Sequence, residues 1–162
     1  METEMNATGK KRLLRLAAKL REDAENPEGM KFDINHWGST RDKEHGLALS
    51  CGTTGCAMGL AAISGIFKRA GLGIDGLTAP GEPLTFIWRF TMNGEPREGW
   101  EAAAQLFGIE LKQAQYLFYA GHYPSAKRKG RAGELAVAER IEVVLAGGFP
   151  PEEKMKRYAG FL

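Results

Sequence analysis

The chain's only two cysteines, Cys51 and Cys56, bracket Gly52, Thr53, Thr54 and Gly55 in the stretch "SCGTTGCAMGLAAISGIFKRAGL". As thiolates they are soft ligands for zinc, but zinc takes four ligands and structural sites usually use C-x2-C spacing. Here the spacing is C-x4-C, and the only histidines are His36, His45 and His122. A set of Cys51, Cys56, His36 and His45 has no compact ligand spacing, so no metal site is expected. A disulfide would close a very small loop, which a reducing compartment keeps open. As a nucleophile Cys56 is the better placed of the two. A helix is expected to begin there, and unpaired N–H groups at a helix start lower a thiol pKa. Cys51 is then its candidate redox partner. No histidine base is placed beside either by the sequence. The preferred reading is the ordinary one, two small buried apolar residues.

The residues between the cysteines raise a second chemistry. Thr53, Thr54 and Gly55 ahead of a helix can cradle an anion on successive backbone N–H groups. The stretch lacks the length and the lysine of a G-x4-G-K-[ST] loop. An N-cap is preferred, with Thr53 or Thr54 accepting a backbone hydrogen bond and Gly55 supplying the turn.

A third chemistry is phosphate and base contact. "WEAAAQLFGIELKQAQYLF" reads as helix, turn, helix, with Ala104, Gly108 and Ala114 spaced roughly as in a DNA-binding pair. Its second helix offers Lys112 and Gln113, then Tyr116, Leu117, Phe118 and Tyr119. So apolar a face argues for a plain αα corner. "SAKRKGRAG" gathers Lys127, Arg128, Lys129 and Arg131, which could touch phosphates or an acidic partner. Lys10, Lys11, Arg12 and Arg15 add to that face if the ends of the chain meet. No Ser-His-Asp order, HExxH or dinucleotide glycine pattern is present.

These residues must be held by a scaffold. Lys10 to Glu25 predicts an amphipathic helix, with Leu13, Leu16, Ala17, Leu20 and Ala24 on one face. Its cations come first and its acids last, against the helix macrodipole. "MKFDINHW" suggests a short extended segment. A helix from Cys56 to Ala70, stopped by Gly71, is apolar nearly all round and reads as buried. "GLGIDGLTAPGEP" reads as a glycine-rich connection. "LTFIWRF" alternates, and Asn93-Gly94 is a favoured two-residue hairpin turn; Pro96 confines the return arm to an edge. Glu134 to Leu145 predicts a helix with Leu135, Ala138, Ile141 and Leu145 inward, and Pro151 starts a last short one.

A length of 162 residues suits one core, and a formal charge of +2 does not by itself point to nucleic acid. The apolar stretch from Cys56 to Phe67 is too short to cross a bilayer, so no membrane partner is expected. The opening residues lack the charged head, apolar core and cleavage site of a secretory signal, so a cytoplasmic location is expected.

Taken together, "KFDINHW", "CGTTGCAMGLAA", "AAAQLFGIELKQAQYLFYAGHYP" and "AERIEVVLAGG" resemble a group of small bacterial and phage-encoded proteins. Their pattern is an F-x4-W segment, a CGTxxCxxGWA-like motif, an LGLTxxxAxxLF segment followed by WP, and a closing RI helix. Phe32 and Trp37 match the first part, and Cys51, Gly52, Thr53, Cys56 and Gly59 the second. Leu106, Gly108, Ala114, Leu117 and Phe118 match the third, and Arg140 and Ile141 the last. Leu60 stands where the group has Trp, and Tyr123-Pro124 where it has WP. The resemblance implies a shared fold and a site location, not a reaction.

The expected architecture is mainly α: a flexible N-terminus over 1–9, then a single helical domain over 10–162. That domain would be a bundle around a buried central helix with a small β-hairpin. The expected function is a non-enzymatic binding or regulatory module without a cofactor, taking a protein or peptide partner in a groove lined by aromatics such as Trp37, Trp88 and Tyr119. The alternative is DNA association through the pair at 100–119 and the basic loop. The second alternative is thiol or metal chemistry at Cys51 and Cys56.

Overall fold

In the computed structural model, which describes residues 5–35, 37–40, 53–79 and 82–156, helix α1 (Ala7–Ala24) starts three residues before Lys10. Asn6 explains the earlier start: its side-chain oxygen accepts from the Gly9 N–H at 2.7 Å, an N-cap bond. Leu13, Leu16, Ala17 and Leu20 are buried on one face, as their spacing predicts. They face helix α5 (Gly130–Gly147), whose Val137, Ala138 and Ile141 are fully buried. Arg21 pairs with Glu142 and Glu25 with Arg131, so the two helices run antiparallel.

The inward face of α5 is rotated from the expected one. Gly133, Glu134, Val137, Ala138, Ile141 and Val144 are buried, whereas Leu135 and Leu145 are only half-buried. A carboxyl side chain thus takes an interior position that the apolar pattern assigned to its neighbour.

The β-structure exceeds the expected hairpin. Strands β1 (Lys31–Phe32), β2 (Gly38–Thr40), β3 (Thr53–Gly55), β4 (Leu72–Ala79), β5 (Glu82–Met92) and β6 (Glu95–Arg97) form one sheet of order β1-β3-β2-β5-β4, with β6 also on β5. All pairings are antiparallel except β1 with β3. The supposed glycine-rich connection is β4. Its ladder with β5 runs from Leu72↔Met92 to Thr78↔Phe86, and that pairing overrides the poor strand propensity of its glycines. On β5 the alternation holds: Trp88, Phe90 and Met92 are buried, while Arg89 is exposed and meets Asp75 of β4 at 3.1 Å. The Asn93-Gly94 turn and the β6 edge stand where the sequence puts them.

Helix α2 (Ala57–Ile63) is much shorter than the expected Cys56–Ala70 helix. Gly65 at φ +76° breaks it, and a short 3-10 turn (Lys68–Ala70) leads to Gly71. Each residue from Ala57 to Ala62 is buried, and α2 packs on α1, β3 and β4.

Helices α3 (Gly99–Phe107) and α4 (Leu111–Phe118) form the expected corner, with Gly108 left-handed at φ +63° between them. Helix α6 (Glu152–Lys156) lies against α4. The chain is therefore mostly helical with a smaller sheet, and helices and sheet share one hydrophobic cluster. Among the described residues no helix is long and apolar enough to cross a membrane.

Candidate functional site

Cys56 sits at the entry of α2, and its thiol faces the Trp37 carbonyl at 3.7 Å. The N–H groups of Gly59 and Met58 pull its pKa down, as a helix start should. Burial acts the other way and wins: the side chain is 1% exposed and its pKa is pushed up to about 11. At neutral pH Cys56 is a protonated thiol packed in the core. Cys51, its proposed redox partner, lies outside the described residues, as do Gly52, His36 and His45. Among the described residues no group of three or more His, Cys, Asp or Glu is placed to hold a metal ion.

Thr53, Thr54 and Gly55 form β3, held between β1 and β2, rather than a helix cap or an anion cradle. Gly55 O accepts from the Asp33 N–H at 2.9 Å. The N-cap of α2 is Cys56, with no side-chain capping bond. Strand pairing engages the backbone that an anion would need, and it moves the helix start past the threonines to Cys56.

The candidate nucleic-acid residues do not converge. Lys112 is tied to Glu110 and Glu152, and Gln113 is buried with its side-chain oxygen on the Glu110 N–H at 2.8 Å. Ala114, Leu117 and Phe118 fill the rest of the α4 inner face. Lys127 is exposed in a 3-10 turn (Ser125–Lys127). Arg128 donates to the Tyr123 carbonyl at 2.9 Å, Lys129 stands 3.9 Å from Asp33, and Arg131 pairs with Glu25. Arg131 lies in the first turn of α5, whereas Lys112 borders a hollow formed with residues 144–148 at its other end. An 18-residue helix separates those ends by about 27 Å. The Arg131–Glu25 pair also sets this loop at the C-terminal end of α1, away from Lys10 to Arg15.

His122 packs edge-on against Tyr116 and Tyr119, with ring centroids 5.3 and 6.2 Å away. Burial lowers its pKa to about 4, aided by the charge of Arg140, so it is neutral at pH 7. Arg140 itself lies over the Tyr116 and Tyr123 rings at 4.6 and 3.9 Å.

The most developed surface feature is aromatic. Trp37 and Trp100 are half-buried, with ring centroids 4.7 Å apart at 71°. On one side of this pair lies an open hollow of about 610 Å³, bordered by Trp88, Phe90, Pro96 and Gly99. On the other lies one of about 150 Å³, bordered by Ile34, Asn35, Phe118 and Tyr119. Arg89, Arg97, Glu98 and Glu101 supply both signs of charge around the larger one. The ring positions depend on missing side chains. A Cβ on Gly99 would stand 2.4 Å from the Trp37 ring, one on Gly38 would stand 1.7 Å from the Trp88 ring, and one on Gly59 would meet the Trp37 carbonyl at 2.1 Å.

Two features escaped the sequence reading. Trp100, an apolar residue at a helix start, carried no signal beyond its size. Asp23 and Glu134 are buried face to face between α1 and α5. Burial and a hydrogen bond to Asp23 push the Glu134 carboxyl up to about 10, so it is protonated and can donate to Asp23. Asp23 Oδ1 in turn accepts from the Met30 N–H at 3.2 Å. A glutamate on an amphipathic helix ordinarily reads as solvated, which hid this pair. No protein-family model, curated protein sequence or solved structure matches the chain.

Proposed function

We propose that the protein is a non-enzymatic binding module that takes an extended peptide segment across Trp37 and Trp100. The observation that carries this reading is the tryptophan pair itself, two half-exposed rings at a steep angle that form the common wall of two hollows. Large rigid aromatics give contact area at small entropy cost, and they dominate interface energetics. Strand addition is the less suitable mode. In a two-residue hairpin the Pro96 position turns its backbone away from β5, and proline has no N–H to offer there. An extended, proline-containing or aromatic segment needs no such donor and docks into aromatic-lined grooves. The mixed charges on the rim suit a segment that itself carries both signs.

The reading is tested by panning a displayed random-peptide library on the purified protein and titrating the selected peptides by tryptophan fluorescence. Enrichment of proline or aromatic residues is expected, with affinity falling at least tenfold in Trp100→Ala, a typical hot-spot effect of about 1.4 kcal/mol or more. Arg97→Glu, a rim change away from the core, should shift charge preference without altering the fold. Failure to select any peptide, or selected peptides indifferent to both substitutions, would overturn the assignment.

A further inference from the structure

We propose a second site: the groove between the N-terminal half of α1 and the 66–70 turn binds a phosphodiester backbone. Lys11, Arg12, Arg15 and Arg69 line this groove of about 310 Å³, together with Ile66, Phe67 and Ala70. Among the described residues no Asp or Glu lines it.

Many exposed cations are paired and others, such as Lys31 and Lys127, stand unpaired among the described residues, but here unpaired cations share one groove. Arg21, Arg89, Lys112, Lys129 and Arg131 all stand beside a carboxylate. Lys11, Arg15 and Arg69 are exposed, and no carboxylate among the described residues pairs with them. Arg12 is the anchored member, donating to the Leu106 carbonyl at 2.7 Å and so closing the last turn of α3. Three of the four stand in the N-terminal half of α1, with Lys11 and Arg15 at i and i+4, and the first turn of the helix holds no acid. Like charges at i and i+4 repel, which makes the Lys11 and Arg15 placement unfavourable for the bare fold, and an anion in the groove relieves it.

The chemistry of the walls narrows the ligand. Lys11 and Arg15 are one helical turn apart, about 6 Å at Cβ, the scale on which successive phosphates follow one another along a strand. Guanidinium groups bind phosphate oxygens bidentately. The Phe67 ring is 3% exposed and packed on Phe107, so it offers no platform on which a base could stack. Among the described residues no amide or carboxylate side chain lines the groove to read an adenine or cytosine edge. Contact led by the phosphate backbone is what this surface supports.

The test is fluorescence anisotropy with a labelled mixed-sequence duplex and with the corresponding single strand, competed by polyglutamate. Neutralising about three phosphates of the duplex predicts a slope of about −2.7 for log affinity against log salt, about a 40-fold loss between about 50 and 200 mM. Lys11→Glu/Arg15→Glu/Arg69→Glu should weaken binding at least tenfold and flatten that slope. Lys11→Gln/Arg15→Gln/Arg69→Gln repeats the test without introduced repulsion, and Lys127→Glu/Lys129→Glu should leave binding unchanged. Tight binding of either nucleic acid with this pattern supports the site, and the stronger of the two identifies which form it holds. No binding at about 50 mM salt, indifference to the α1 and Arg69 substitutions, or equal competition by polyglutamate would each overturn it. Peptide binding at Trp37 and Trp100 is read separately, so failure of one site leaves the other standing.

Discussion

Glu134 folds as an acid rather than as an ion. Its carboxyl is 2% exposed, faces Asp23, and is held up to about 10. In the unfolded chain it ionises near the ordinary 4.5. Between those values the folded state binds one more proton than the unfolded state, so stability falls as pH rises. The contribution is fully present below pH 4.5 and is lost as pH climbs through about 10. Denaturant midpoints at pH 5 and pH 8 should therefore differ, with the lower pH more stable. Glu134→Gln keeps a side-chain donor for Asp23 without a proton to lose. It should flatten the profile between these pH values and raise stability at pH 8. Equal wild-type midpoints at the two pH values would show that the carboxyl is not held neutral.

At the scale of single elements, α1 places stability and binding in opposition. Lys11 and Arg15 are like charges one turn apart, and its cap is a single Asn6 side chain. Lys11→Glu turns a repulsive i, i+4 pair with Arg15 into an attractive one and should stabilise the free protein by about 0.4–1 kcal/mol at low salt while weakening phosphate binding. Asn6→Ala should cost about 1 kcal/mol and leave the salt slope of binding alone. Thermal melts at low and high salt separate the two, because the Lys11 effect is screened and the cap effect is not.

The same scale shows what could be read in advance. The α1 face, the α3–α4 corner, the Asn93-Gly94 turn and the alternation of Trp88, Phe90 and Met92 were legible, because each follows from local periodicity or a local turn. Strand β4 was not, because Gly73 and Gly76 mask its pattern and only the register with β5 makes it a strand. The end of α2 at Ser64 was missed for a related reason: the apolar run continues to Phe67, but Gly65 turns left-handed. Of the site, Trp37, Trp88 and Tyr119 were visible as large aromatics. Their arrangement was not, since it rests on close approach at Gly38 and Gly99, and a glycine does not announce what it makes room for.

For the whole molecule the question is whether helices and sheet stand or fall together. The large buried apolar residues of α1, α2, α3, α4 and α5 belong to one cluster with Phe32, Trp88, Phe90 and Met92 of the sheet. Aromatic contacts join the parts directly: Trp37 meets Phe90 of β5 at 5.5 Å and Trp100 of α3 at 4.7 Å, and Trp100 meets Tyr119 at 6.0 Å. Were the two layers separately stable, far-UV circular dichroism, dominated by the helices, would lose its signal at a different denaturant concentration from tryptophan fluorescence. The tryptophans report the β2–β5 region and the start of α3, the join between layers. A shared core instead predicts coincident transitions. Trp100→Ala sharpens the test. Truncating a half-buried tryptophan should cost about 2 kcal/mol, below the range for full burial. If the groove wall is also part of the common core, both probes shift together by that amount. A shift in fluorescence alone, with the helical signal left at its wild-type midpoint, would mean that the aromatic wall melts as a local unit. The peptide groove would then be a pliable surface on an independent helical scaffold rather than a preformed one.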